Sequence, residues 1–175
     1  MKKDSVVITG VGVVSSAGFQ LEEFFQTLCS GKDMFHEIQG YHLDKLRTKK
    51  AAQIQGEFPV EEKWGVYSRS AQLALMAAKQ ALTSARIDKE ELGTDMGLSI
   101  ATMTSGVPQF ENILIEGDIK CEELSDDFKK QLSSYDVVRV LASELGVHGI
   151  RSNMEIVCSS GTAFVGRAYN WIKRG

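Results

Sequence analysis

Proline is nearly missing from this sequence: Pro59 and Pro108 are the only two among 175 residues. Helices and strands can therefore run with few forced breaks. Cysteine is scarce too. Cys29, Cys121 and Cys158 are an odd number with no C-x-x-C spacing, which argues against a disulfide framework or a structural zinc site. No run approaches the roughly 18 apolar residues that a membrane-spanning helix needs. There is no excess of positive charge either: 20 Lys and Arg face 23 Asp and Glu, a net charge of −3. A nucleic-acid binder would be expected to be basic. The opening Met1-Lys2-Lys3 is followed by Asp4 and an alternating stretch, with no small-residue cleavage site. A secretory leader is not expected, and the chain is read as cytoplasmic.

What is present is ordinary globular material. Apolar residues make up 43% and charged residues 25% of the chain, and there are 16 glycines. A single domain of this length buries roughly two-thirds of its unfolded surface. No metal or disulfide is needed to close such a core.

Val6-Val7-Ile8-Thr9 reads as a buried strand that resumes at Val13-Val14. Leu21, Phe24, Phe25 and Leu28 follow at helical spacing, with Gly31 as the stop. Cys29 falls on the apolar side of that helix and is expected in the core. The stretch from Lys32 to Lys50 is polar and irregular, and a short strand is expected over residues 50–54. The clearest helix runs from about Ser68 to Ala85, with a face of Ala74, Ala77, Ala78 and Ala81. A buried strand is expected over 96–101, a loop over 102–106, and a short helix over 108–115. Residues 117–131 are heavily charged with mixed signs, as on a solvated face; Cys121 is expected exposed there. Another helix is predicted over 134–145, stopped by Gly146, and a short strand over 154–157. The last strand leads directly into Cys158-Ser159-Ser160-Gly161 and a final helix. Strands alternating with helices define an α/β domain with a mainly parallel sheet and helices on both faces.

Two patterns invite a chemical reading. Gly10-Val11-Gly12 follows a strand, but the third glycine of a dinucleotide fingerprint would fall at Ser15. A close backbone approach explains the pair better, and no cofactor is assigned. Cys158 is the candidate catalytic residue. It occupies a strand-to-helix turn, where the positive end of the helix and its free N–H groups favour a thiolate. The same N–H groups can stabilise an oxyanion in acyl transfer.

A family resemblance runs along nearly the whole chain. The residues Val6 to Val14 resemble the opening strand of elongating β-ketoacyl-acyl-carrier-protein synthases. Gln72 to Leu82 is similar to the Q-x-A-L-x-A-A-K-x-A-L pattern of their first long helix, and Gly97 to Thr102 to their central strand. Leu145-Gly146-Val147-His148-Gly149 resembles the loop before their nucleophile strand. Ile156-Val157-Cys158-Ser159-Ser160-Gly161-Thr162-Ala163 resembles their T-A-C-A-S-G nucleophile motif. Val157 stands where the family usually has Ala, and Ser159 replaces a common Ala. A C-S-S pairing is also found in modular polyketide synthases, so fatty-acid and polyketide pathways stay open.

The resemblance implies the N-terminal half of a thiolase-like fold, ending at the nucleophile helix. It implies that Cys158 takes an acyl group from an acyl-carrier-protein thioester. A malonyl thioester then loses carbon dioxide and its carbanion attacks the acyl-cysteine. It implies two histidines and a lysine in the second half of the fold, beyond Gly175. The histidines present, His36, His42 and His148, all precede Cys158, and none is assigned as base. By itself the chain is therefore expected to be inactive. Expected partners are acyl carrier protein and either a second copy or a complementary synthase half. The alternative is a non-catalytic remnant or an interaction subunit of a split synthase. The final helix carries Phe164, Val165, Ala168, Trp171 and Ile172 on more than one side, so cover on several sides is expected.

Overall fold

The computed structural model describes residues 5–41, 43–44, 46–56, 58–102 and 121–175, together with 107, 111 and 113. Five helices and four short strands are named among these residues: α1 (Leu21–Ser30), β1 (His36–Glu37), β2 (Lys50–Ala51), α2 (Arg69–Ala85), β3 (Leu98–Ile100), α3 (Asp126–Gln131), α4 (Asp136–Leu145), β4 (Arg151–Asn153) and α5 (Ser160–Arg174). β3 and β4 pair in parallel, with Leu98 opposite Arg151 and Ile100 opposite Asn153. β1 and β2 form a separate antiparallel pair. α4 packs on one side of the parallel pair and reaches α2, while α5 packs on β3.

The core lies between α2, α4 and β3–β4. Leu75, Val137, Val140 and Leu141 are almost fully buried, joined by Trp64, Ala71, Leu145 and Val147. Ser68 starts α2 by accepting the Ala71 N–H at 3.3 Å, as a serine at this position should. Arg86 ends it in the left-handed region at φ 58°. Gly146 ends α4 at φ 72°, and Gly31 ends α1 at φ 64°. The helix stops read from sequence at Gly31 and Gly146 are the ones found.

The opening strand is different. Residues 5–14 form no strand pairing among the described residues. They run along α2 instead, in the opposite direction. A Cβ on Gly10 would lie 2.2 Å from the Ala81 carbonyl oxygen, and one on Gly12 would lie 2.0 Å from that of Ala77. The glycines and the alanine face thus let two backbones touch. Side chains of α2 replace part of a ladder: Gln80 accepts the Val13 N–H at 3.1 Å and donates to the Phe19 carbonyl. Val7 and Ile8 are left 68% and 78% exposed.

Two further expectations need correction. The last strand is Arg151–Asn153, three residues before the apolar run over 154–157. Its polar side chains are engaged: Arg167 donates to Ser152 Oγ, and Asn153 reaches Glu155 and the Thr102 carbonyl. Cys29 is exposed rather than core, because most of the apolar side of α1 is uncovered among the described residues: Leu21, Phe25 and Leu28 are exposed, while Phe24 is half-buried. β1 was not anticipated within the polar stretch. The expected loop over 102–106, the helix over 108–115, His42 and the Cys121 side chain lie wholly or mostly outside the described residues.

Glu144 pins α4 to the segment before α2. Its carboxylate accepts from Trp64 Nε1 at 3.0 Å and Tyr67 Oη at 2.9 Å, and Lys63 lies at 3.1 Å. Burial pushes its pKa up, but the hydrogen bonds from Trp64, Lys63 and Tyr67 outweigh this and hold it below the usual carboxylate value. A depressed folded-state pKa adds stability at neutral pH that is lost as pH falls through that value. Glu144→Gln is expected to cost about 1–3 kcal/mol at pH 7, because its single amide oxygen can accept from only one of Trp64 and Tyr67 and the amide NH2 faces the other donor. The gap to wild type should narrow as the pH drops below roughly 4.3. Urea unfolding at pH 7 and pH 3.5 checks this; an equal gap at both would rule out the charge as the cause.

Candidate active site

Three short-range features place Cys158. β4 ends at Asn153, Met154 still donates its N–H to the Ile100 carbonyl of β3, Glu155 and Ile156 follow outside any strand, and Val157–Ser159 form one tight 3-10 turn that continues into α5. Cys158 sits in the middle of that turn and is exposed. The sequence expectation of a cysteine at a strand-to-helix turn matches the geometry, although the turn is reached through three non-strand residues.

The turn is hydrogen-bonded on its inner side. Ser160 is buried, its Oγ accepts the Ile156 N–H at 2.9 Å, and it donates to the Val157 carbonyl at 2.9 Å. Ser159 Oγ donates to the Ile156 carbonyl at 3.0 Å. Val157 has φ 47°, in the left-handed region. A β-branched residue held there costs about 1–3 kcal/mol. No side chain caps the N-terminus of the 15-residue helix α5. The Ser160 N–H is taken up by the Val157 carbonyl, while the start of a helix as a whole favours negative charge nearby.

Such an arrangement suits a nucleophilic thiol. The residue is exposed and stands just before the positive end of a helix, where the negative charge of a thiolate or an oxyanion is favoured. The two described histidines lie in other parts of the chain. His36 lies in the β1–β2 pair, and His148 is an exposed residue before β4 whose N–H donates to the Gly93 carbonyl. β4 separates His148 from Cys158 in the chain. Among the described residues no group of three or more His, Cys, Asp or Glu could hold a metal.

A groove of about 1000 Å³ lies farther along α5, lined by Met96, Leu98, Phe164, Val165, Trp171 and Ile172 among others. Cys158 is not part of its lining. Phe164 closes the inner side, whereas Val165 and Ile172 stay 63% and 64% exposed. The expectation of a multi-sided apolar final helix is met, with one side packed on β3 and another open. Sequence reasoning passed over Ser160 as a functional residue. The available signal was a hydroxyl placed two residues after the cysteine, which a helix start brings back over the turn.

The comparisons with known proteins agree with this geometry. Residues 3–175 match the β-ketoacyl synthase N-terminal domain, and the chain belongs to that family. It is 25% identical over 186 residues to the tetracenomycin polyketide synthase ketoacyl synthase alpha subunit of Streptomyces glaucescens, covering 97% of this chain and 43% of that protein. It is 26% identical over 185 residues to the chloroplastic 3-oxoacyl-[acyl-carrier-protein] synthase I of Arabidopsis thaliana, covering 99% of this chain and 38% of that one. The ishigamide ketosynthase/chain length factor structure superposes with a TM-score of 0.81 at 22% identity, over 97% of this chain and 44% of its own. The fold is thus that of the N-terminal part of a thiolase-like ketosynthase. The chain spans about two-fifths of the length of these relatives.

Proposed function

We propose that this polypeptide supplies the acyl-accepting half of a β-ketoacyl-acyl-carrier-protein synthase, with Cys158 as nucleophile. The exposed thiol at the uncapped start of α5, in a chain of this family, carries the reading. The Cys158 thiolate attacks the carbonyl of an acyl thioester, and the carrier thiol leaves with a proton. A malonyl thioester then loses carbon dioxide. The carbanion so formed attacks the acyl-cysteine carbonyl, giving a β-ketoacyl thioester and returning the Cys158 thiolate. Loading and condensation both pass through an oxyanion, whose charge the positive start of α5 favours.

The 175 residues form one N-terminal domain of the enzyme in this reading. Its partners are acyl carrier protein and either a second copy or a complementary half bearing the remaining catalytic groups. The uncovered apolar surfaces of residues 5–14 and of α5 support such cover. No described helix is long and apolar enough to cross a membrane, which accords with a cytoplasmic site of action. The same uncovered surfaces, with neither described histidine in the turn of Cys158, favour a second reading: an interaction subunit that has lost condensation.

One experiment separates them. The full-length natural polypeptide is incubated with an acyl-carrier thioester and then with a malonyl thioester. The expected results are an acyl mass on the peptide containing Cys158, followed by release of carbon dioxide and a β-ketoacyl product. Acylation without condensation selects the second reading. No acyl group on Cys158 overturns the nucleophile assignment.

A further inference from the structure

We infer that Ser160 is a positioning residue for Cys158: its hydroxyl locks the turn that presents the thiol. The inference rests on the reading of Cys158 as nucleophile. Ser160 is buried at 9% exposure. Its Oγ takes the N–H of Ile156 and gives its proton to the carbonyl of Val157, both at 2.9 Å. One hydroxyl thus closes a clasp around the two residues that lead into Cys158. The Ser160 backbone N–H also donates to the Val157 carbonyl, so that oxygen is held twice.

Val157 shows why a clasp is required. A valine at φ 47° clashes with its own backbone unless its surroundings hold it there. Val157 itself is 66% exposed, so packing among the described residues does not hold it. The restraint comes from the hydrogen bonds to its peptide. Without the Ser160 hydroxyl, Val157 can relax to negative φ, and rotation at this residue swings Cys158 off the helix axis. The thiol then no longer stands at the positive start of α5. A glycine at 157 adopts φ 47° freely, so it removes the need for the clasp.

The test compares alkylation rates of Cys158 and Cys29 by iodoacetamide in the full-length polypeptide, read by peptide mass. Cys29 is also exposed and lies on α1, so it is the internal reference. Ser160→Ala should lower the Cys158 rate relative to Cys29 by about fivefold or more near neutral pH. Ser160→Thr, which keeps the hydroxyl, should restore it. The double variant Ser160→Ala with Val157→Gly should label close to the wild-type rate. An unchanged ratio in folded Ser160→Ala overturns the inference. If Ser160→Ala does not fold, the double variant decides: wild-type labelling supports the clasp, and slow labelling overturns it. The readout needs no acyl transfer. Failure of the acyl-loading experiment with these rate changes intact would sink the enzymatic reading and leave the clasp standing.

Discussion

Cys158→Ala in the full-length polypeptide should abolish acyl loading and lower any condensation by about a thousandfold or more. The size of the effect follows from the covalent step. A methyl group offers no electron pair to the thioester carbonyl, and no other residue of the turn can take over: Ser159 Oγ is committed to the Ile156 carbonyl, and Ser160 Oγ is buried between two peptides. Cys29→Ala should leave loading unchanged, because Cys29 stands on α1, well apart in the chain from the turn. Intact-mass measurement after incubation with an acyl thioester checks both variants. Acylation of the Cys158→Ala protein at the wild-type rate would move the nucleophile elsewhere.

Gly12→Ala should be the most damaging single methyl group in the described fold. The added Cβ would stand 2.0 Å from the Ala77 carbonyl oxygen and 2.9 Å from the Ala81 nitrogen. Both obstacles are helix backbone, so neither can rotate aside. The segment must lift off α2, losing the Val13 to Gln80 bond with it. An overpacking cost of about 3 kcal/mol is expected. A melting temperature roughly 6–12 °C lower corresponds to that cost for a domain of this size. Thermal unfolding monitored by circular dichroism reads it directly. A variant within about 0.5 kcal/mol of wild type, the range of ordinary surface substitutions, would show that residues 10–12 do not rest on α2.

The parts of the fold legible in the sequence are those decided locally. Ser68 as an N-cap, the alanine periodicity of α2 and the glycine after α4 are all read from neighbours within a turn or two. The cysteine turn was legible for the same reason, since C-S-S-G before a small-residue helix is a local pattern. What failed depended on what lies across from an element. The apolar side of α1 predicted a core position for Cys29, but periodicity identifies a face and not its cover. The strand before Cys158 was placed on Met154 to Val157 because they are apolar. The pairing fell to Arg151-Ser152-Asn153, where Ser152 Oγ accepts from Arg167 and Asn153 Nδ2 donates to Glu155 and a backbone carbonyl. The Val6 to Val14 segment had the composition of a strand, yet among the described residues its neighbour is a helix backbone.

That backbone contact also sets an order of events during synthesis. Gly10 and Gly12 find their seat only on Ala77, Ala81 and Ala85, residues translated long after them. At roughly 5–20 residues per second, the N-terminal segment waits about 4–15 s before α2 has emerged. Through that interval the backbone of Gly10, Gly12 and Val13 has no helix to rest on. Gly10 and Gly12 are therefore translated well before the helix they rest on, and their segment is open to a nascent-chain chaperone in the interval.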